Sequence, residues 1–174
     1  MNIIVGAIVV LMAVVIVSLI YRWKTLPCPV WLRWCVEWDN PFSKTGRAAF
    51  IVDHLDLQPG MAVLDAGCGP GRVTLPLARR TGPEGEVVAL DLQAGMLERT
   101  RKKAEAAGLD NVRFLHAGLG EGKLEKNRFD RVVLVTVLGE IPDRAAAIHE
   151  LFAALKPGGI LSVTEIVLDP HYKS

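Results

Sequence analysis

Cysteine is scarce in this 174-residue chain: Cys28, Cys35 and Cys68 form no C-x-x-C pair and no zinc-ligand spacing. The odd count excludes a closed disulfide framework and suits a reducing compartment. The four histidines, His54, His116, His149 and His171, also lack ligand spacing, so no metal site is expected. Charge of one sign is missing too. Twenty basic residues face 19 acidic ones, for a net charge of +1. That excludes a global basic field of the kind that draws a protein onto nucleic acid. A basic run at Arg99, Arg101, Lys102 and Lys103 reads as the solvated face of a helix.

Glycine, by contrast, is concentrated where it carries information. Val63-Leu64-Asp65-Ala66-Gly67-Cys68-Gly69-Pro70-Gly71 leads apolar residues into a carboxylate, followed by three glycines at alternate positions. This is the pattern of a buried parallel strand breaking into a loop that opens a helix. Glycine permits positive φ and a close approach of ligand to backbone, and a helix start offers N–H groups and the positive end of its dipole. A nucleotide-like ligand is therefore expected. Dinucleotide folds use G-x-G-x-x-G; here Arg72 takes the place of the third glycine. Asp65 also puts negative charge near the strand end, which opposes a pyrophosphate and favours a ligand carrying an ammonium group. Cys68 reads as a small loop residue rather than a nucleophile.

With this motif the chain resembles the class I S-adenosylmethionine-dependent methyltransferases, whose first motif has this form. The resemblance implies S-adenosyl-L-methionine (SAM) as cofactor, with Asp65, Ala66, Gly67, Cys68, Gly69 and Gly71 around it. A second strand, Glu86-Val87-Val88-Ala89-Leu90-Asp91-Leu92, ends in a carboxylate 20 residues after Gly71. An acidic residue there can accept hydrogen bonds from both ribose hydroxyls; the alternative for Asp91 is a helix N-cap. Leu92 follows it, and Thr136, at the end of a fourth strand, completes the expected cofactor surface with Gly118 and Leu119.

The alternation continues through helices expected over residues 44–57, 72–80, 94–107 and 143–155, with Gly108 as a C′ glycine and Asp143 as an N-cap. Strands are expected at residues 111–116, 129–136 and 160–167, the last after a Lys156-Pro157-Gly158-Gly159 turn. In the first helix Ala48, Ala49, Ile51, Val52 and Leu55 are expected to face inward. Strands alternating with helices imply an α/β, doubly wound parallel sheet. The resemblance makes it Rossmann-like with strand order 3-2-1-4-5. It covers about residues 44–171, includes the Leu155–Gly159 stretch, and is closest to the ubiquinone and menaquinone C-methyltransferases.

Two departures stand out. The family's third strand usually ends in a Gly-Asp-Ala-like triplet whose Asp holds the adenine amino group; Ala117-Gly118-Leu119 stands there, with Gly118 at the Asp position. The family's sheet also continues past the fifth strand with an antiparallel pair, whereas this sequence reaches Ser174. The apolar fifth strand is then expected as an exposed edge that invites self-association. The Asn/Asp-Pro-Pro-aromatic sequence of nucleic-acid amino-methyltransferases is not matched after the fourth strand, where Thr136-Val137-Leu138-Gly139-Glu140-Ile141-Pro142 is found.

Residues 3–20 form an uncharged apolar run of roughly 27 Å as a helix, close to a bilayer core. Tyr21 and Trp23 follow as interfacial aromatics beside Arg22 and Lys24, and the signal-peptide features of a basic start and small-residue exit are missing. A single transmembrane anchor (residues 1–24) with its C-terminal flank in the cytoplasm is expected. Within residues 25–43, Trp31, Trp34, Cys35 and Trp38 share one helical face, suiting a helix in the headgroup region or a lid on the domain. Residues 44–174 form the expected SAM-binding domain.

The resemblance implies displacement of a sulfonium methyl group by a substrate nucleophile, with Thr136, Glu140 and Glu165 at strand ends as candidate participants. Glu140 and Glu165 are the catalytic candidates; for each, capping, pairing or solvent exposure is the alternative. The expectation is a membrane-anchored methyltransferase acting on a small or lipid-soluble acceptor at the cytoplasmic face. A SAM-binding but inactive module working through a partner is the second reading. A nicotinamide oxidoreductase is third, opposed by Asp65 and Arg72.

Overall fold

The computed structural model describes residues 48–165 together with Gly6 and Met12. The chain runs α1 (Ala48–Asp53), β1 (Ala62–Ala66), α2 (Thr74–Thr81), β2 (Glu86–Asp91), α3 (Ala94–Ala106), β3 (Val112–His116), β4 (Phe129–Val135), a 3-10 turn (Leu138–Glu140), α4 (Arg144–Ala154) and β5 (Leu155–Thr164). The five strands form one sheet in the order β3-β2-β1-β4-β5, with every pair parallel. Both the class and the order match the expectation.

The strand sequences explain the layering. β1, β2 and β4 are nearly continuous apolar runs because both their faces are covered. Side chains alternate across the sheet. Leu64, Ala66, Val88, Leu90, Val132 and Leu134 face one way and pack with Ala147, Leu151 and Ala154 of α4. Val63, Val87, Val133 and Val135 face the other, against Ile51 and Val52 of α1 and Leu77 and Ala78 of α2. Fully burying one such leucine or valine stabilises the fold by about 1.5–3 kcal/mol.

The helix ends follow the expected chemistry. Asp143 caps α4, its Oδ1 accepting from the Ala146 amide at 2.9 Å. Gly108, just past α3, has φ +64°. On α3, Arg101 and Lys102 are exposed beside Glu98, as a solvated face requires.

Three local expectations change. Ala49 is exposed, because α1 turns only the Ala48, Ile51 and Val52 side to the sheet. α2 begins at Thr74 rather than 72, since the glycine loop extends through Val73. The Lys156–Gly159 stretch is not a separate turn but a bulge inside β5. Phe129 pairs with Leu155 and Arg131 with Ile160, so the intervening residues of β5 loop out, Gly158 at φ +78° among them.

Among the described residues no helix is long and apolar enough to cross a membrane. The anchor at residues 1–24 and the linker at 25–43 lie outside the described residues, apart from Gly6 and Met12, as do residues 166–174 beyond β5.

Candidate functional site

The carboxyl ends of β1, β2 and β4 and the loop after β3 surround a cavity of about 560 Å³. Open α/β sheets bind ligands at this edge, where the chain order reverses; here the reversal falls between β1 and β4.

The glycine loop forms the floor. Gly67, Gly69 and Gly71 have φ of +76°, +51° and +84°, which L side chains rarely adopt. A Cβ on Gly67 would come within 2.5 Å of the Val137 side chain, so the missing side chain is what leaves room at the cavity wall. The loop's amides have partners within the fold. Gly67 and Cys68 donate to the Leu90 carbonyl at 2.8 and 2.9 Å, and Gly69 donates to Asp91 Oδ2 at 2.8 Å. The Thr100 hydroxyl and the Lys103 ammonium on α3 bind the Gly69 and Pro70 carbonyls. The loop is thus fixed from two sides and shapes the cavity more than it donates into it.

Asp91 lies at the end of β2 on the cavity surface. Its Oδ1 accepts from the Gln93 amide at 2.8 Å and its Oδ2 from Gly69. The N-cap alternative is partly realised, since Gln93 is the N-cap residue of α3. Each oxygen keeps further acceptor capacity. Burial raises the Asp91 carboxyl above its ordinary value, opposed by these two amides. Leu92 is 55% exposed at the rim, its carbonyl accepting from His116 Nε2 at 2.9 Å.

Asp65 takes a different place. It is 2% exposed and does not line the cavity. Strand alternation puts it on the Val63 side, where the Thr74 hydroxyl of α2 donates to its Oδ2 at 2.6 Å. Burial pushes its carboxyl up to about 6; the Thr74 bond opposes this and the Asp91 charge adds to it. Ala66, Cys68 and Gly71 are likewise buried behind the loop, and burial pushes the Cys68 thiol well up, unlike an activated nucleophile.

Beyond β4, Thr136 lines the cavity with φ +55°, a strained conformation for a β-branched residue. Its amide donates to the Thr164 carbonyl of β5 at 2.7 Å, which holds it there. Glu140 lines the cavity from the 3-10 turn. Glu165 does not: its Oε1 accepts from the Leu138 amide at 2.9 Å, the capping alternative. Arg144 clamps the same turn through the Leu138 and Gly139 carbonyls. Gly118 and Leu119 line the wall after β3.

The structure therefore gathers Gly67, Gly69, Asp91, Leu92, Gly118, Leu119, Thr136 and Glu140 around one cavity, and leaves Asp65, Ala66, Cys68, Gly71 and Glu165 in its supports. Sequence reasoning missed Glu121, Met96, Val137 and Ile141, which also line it. Met96 and Ile141 carried only an apolar signal, and Glu121 lay in a loop without periodicity.

The donor set fits an adenosyl cofactor bearing positive charge. It offers a carboxylate with spare acceptor capacity at Asp91, a second buried carboxylate behind the loop, and apolar walls. The chain belongs to the methyltransferase domain family, which matches residues 57–174. It is 34% identical over 110 residues to a demethylmenaquinone methyltransferase of Geobacillus stearothermophilus, covering 63% of this chain and 47% of that protein. The chain thus spans about half the length of the curated relatives it matches. A SAM-dependent methyltransferase from Aquifex aeolicus superposes with a TM-score of 0.69 at 25% identity, covering 79% of this chain and 72% of that one. The cyclase SpnF superposes with a TM-score of 0.63 at 28% identity, over 68% of this chain and 43% of that one. Family and structural neighbours together imply SAM as the cofactor.

Proposed function

We propose that this chain binds SAM in the cavity and transfers a methyl group to a lipid-soluble acceptor of the quinone-precursor type at the cytoplasmic membrane face. The observation that carries the reading is Asp91, a buried carboxylate on the cavity surface beside the glycine loop. Bound there, SAM supplies a methyl group on a positively charged sulfur. Asp91 accepts from the ribose hydroxyls, and the paired negative charges of Asp91 and Asp65 favour a cation over a pyrophosphate. Val135, Val137 and Ile141 give the acceptor side an apolar wall that excludes water. Alignment and water exclusion are then most of what the protein contributes. We assign Glu140, which lines the cavity, as the group that takes a proton where the acceptor must lose one.

The acceptor class rests on the quinone named for the curated relatives and on the apolar run at residues 3–20, which we read as the anchor. The exposed Ile160 and Val163 of β5 extend the reading to self-association through that edge. A second reading, a SAM-binding module without turnover, is favoured by one observation: Glu165 holds the Leu138 amide instead of facing the cavity. The cyclase among the structural neighbours illustrates that this fold does not fix one reaction.

Calorimetry with SAM, S-adenosylhomocysteine and NAD tests the cofactor. Binding of the first two and not NAD is expected. Asp91→Ala should lower SAM affinity by about tenfold to a hundredfold, as loss of hydrogen bonds to a charged group requires; unchanged affinity refutes the assignment. Turnover on a quinone precursor separates the two readings. Retention of the full chain in membranes through carbonate extraction, and its release on deleting residues 1–24, tests the anchor. Cysteine labelling that places the domain outside the cytoplasm refutes the orientation.

A further inference from the structure

One wall of the cavity carries a carboxylate that the reading above does not use. β3 ends at His116, and the Ala117 amide donates to the Asp91 backbone carbonyl at 3.3 Å, so the residues after β3 stand beside the strand end that carries Asp91. Gly118 has no side chain to offer there. A Cβ built on Gly118 would lie 2.6 Å from Glu121 Oε1 and 3.1 Å from its Cδ. An aspartate's own carboxylate oxygens stand at a similar distance from its Cβ. One Glu121 carboxylate oxygen therefore lies about as close to this position as an oxygen of a residue-118 aspartate would, and Glu121 lines the same cavity.

The loop that carries Glu121 is held at two points. Glu150 of α4 accepts from the Gly120 amide at 2.6 Å through one oxygen and from the Leu124 amide at 3.0 Å through the other. A Cβ on Gly120 would meet Ala146 at 3.3 Å, so the loop lies close on α4. Glu121 is thus presented from a braced loop. The cavity's other carboxylates have different places: Asp91 is at the end of β2, while Glu140 and Asp143 follow β4, and Asp143 caps α4.

We propose that Glu121 is the specificity-determining acceptor for the 6-amino edge of the cofactor's purine, in place of a side chain at Gly118. The proposal rests on the SAM-binding reading of the cavity. A ligand whose ribose meets Asp91 has its base within reach of the loop after β3. A carboxylate there accepts from an exocyclic amino group and repels a carbonyl oxygen in the same position. Discrimination between the two comes from that mismatch.

The test is calorimetric binding by the full chain of S-adenosylhomocysteine and of S-inosylhomocysteine, which differ in the 6-amino or 6-oxo group. The wild-type chain should prefer the adenosyl ligand by about tenfold or more. Glu121→Ala and Glu121→Gln should erase most of that preference, and Gly118→Asp combined with Glu121→Ala should restore it. Asp91→Ala should weaken both ligands alike and leave the preference intact. A preference unchanged in Glu121→Ala overturns the proposal while leaving the cofactor reading standing. Failure of the wild-type chain to bind either ligand overturns both. Glu121 is exposed, so its removal leaves the core intact; a thermal midpoint equal to wild type checks this.

Discussion

Asp65 is a carboxylate kept in the protein interior, where the Thr74 hydroxyl donates to it, and replacing it should change stability in a pH-dependent way. Its carboxyl titrates at about 6 in the fold against an ordinary 3.8. Stability linked to a raised carboxyl is fully present below 3.8 and is lost as pH rises through about 6. At roughly 1.4 kcal/mol per pH unit, the whole loss is about 3 kcal/mol at neutral pH. Asp65→Asn removes the charge and keeps an oxygen to accept the Thr74 hydroxyl. Its new amide hydrogens add a constant cost of about 1–3 kcal/mol where they find no acceptor. That cost does not vary with pH, so the informative quantity is the change in the variant-minus-wild-type difference. Urea unfolding at intervals from pH 4 to pH 7.5 should show this difference moving in favour of the variant by about 3 kcal/mol, mostly below pH 6.5. The comparison cancels opposing groups such as Asp130, whose carboxyl the Lys156 ammonium and the Ala62 amide hold below the usual range. A difference constant across the series would show that Asp65 is not charged and buried as described.

Other perturbations follow from the same geometry. Gly67→Ala should destabilise the fold by about 1–3 kcal/mol, from positive φ and the Val137 contact; adding Val137→Ala should recover only the contact part in thermal melts. Arg131→Met should lower stability by about 3 kcal/mol, because the buried guanidinium binds the Leu55 carbonyl at 2.6 Å and the Asp56 carbonyl at 3.2 Å. An unchanged melting midpoint would exclude that tie between β4 and the segment after α1.

Much of the fold was legible because its signals are local. Apolar strand runs, a capping aspartate at 143 and a C′ glycine at 108 each depend on neighbours within a turn or two. Strand order followed from the family resemblance and was observed. The site divided by a different rule. Asp91 was legible because a carboxylate ending a strand beside a glycine loop has few places to go. Asp65 met the same description, yet strand alternation turns it with Val63 toward α2, and Thr74 takes it. Glu165 pairs with Leu138, 27 residues away, a contact that no sequence period encodes. Glu121 was missed because the feature that reveals it is its close approach to Gly118, which belongs to the three-dimensional loop alone.

Two carboxylates with raised titration, on adjacent strand ends, make this edge of the sheet costly for the free protein. Asp65 pairs with Ala89 across the β1–β2 register, and Asp91 follows two residues further along β2. Each is disfavoured as an anion chiefly by burial, and the Asp91 charge raises Asp65 further. The Thr74 hydroxyl donates to one and backbone amides to the other, and the Arg72 and His116 charges offset part of the burial cost of Asp65 and Asp91 respectively. A packed apolar pair at these positions would fold more easily. What the charges do supply is a fixed negative field at the floor of an apolar cavity, where low polarisability strengthens it. A cationic ligand gains most from that field, a neutral one little, and a pyrophosphate is repelled. On the proposed cofactor reading, the same feature that lowers stability selects the ligand. It also explains why the glycine loop, with its amides already bonded, can serve as a frame: attraction comes from the carboxylates behind and beside it, and the loop only has to stay thin.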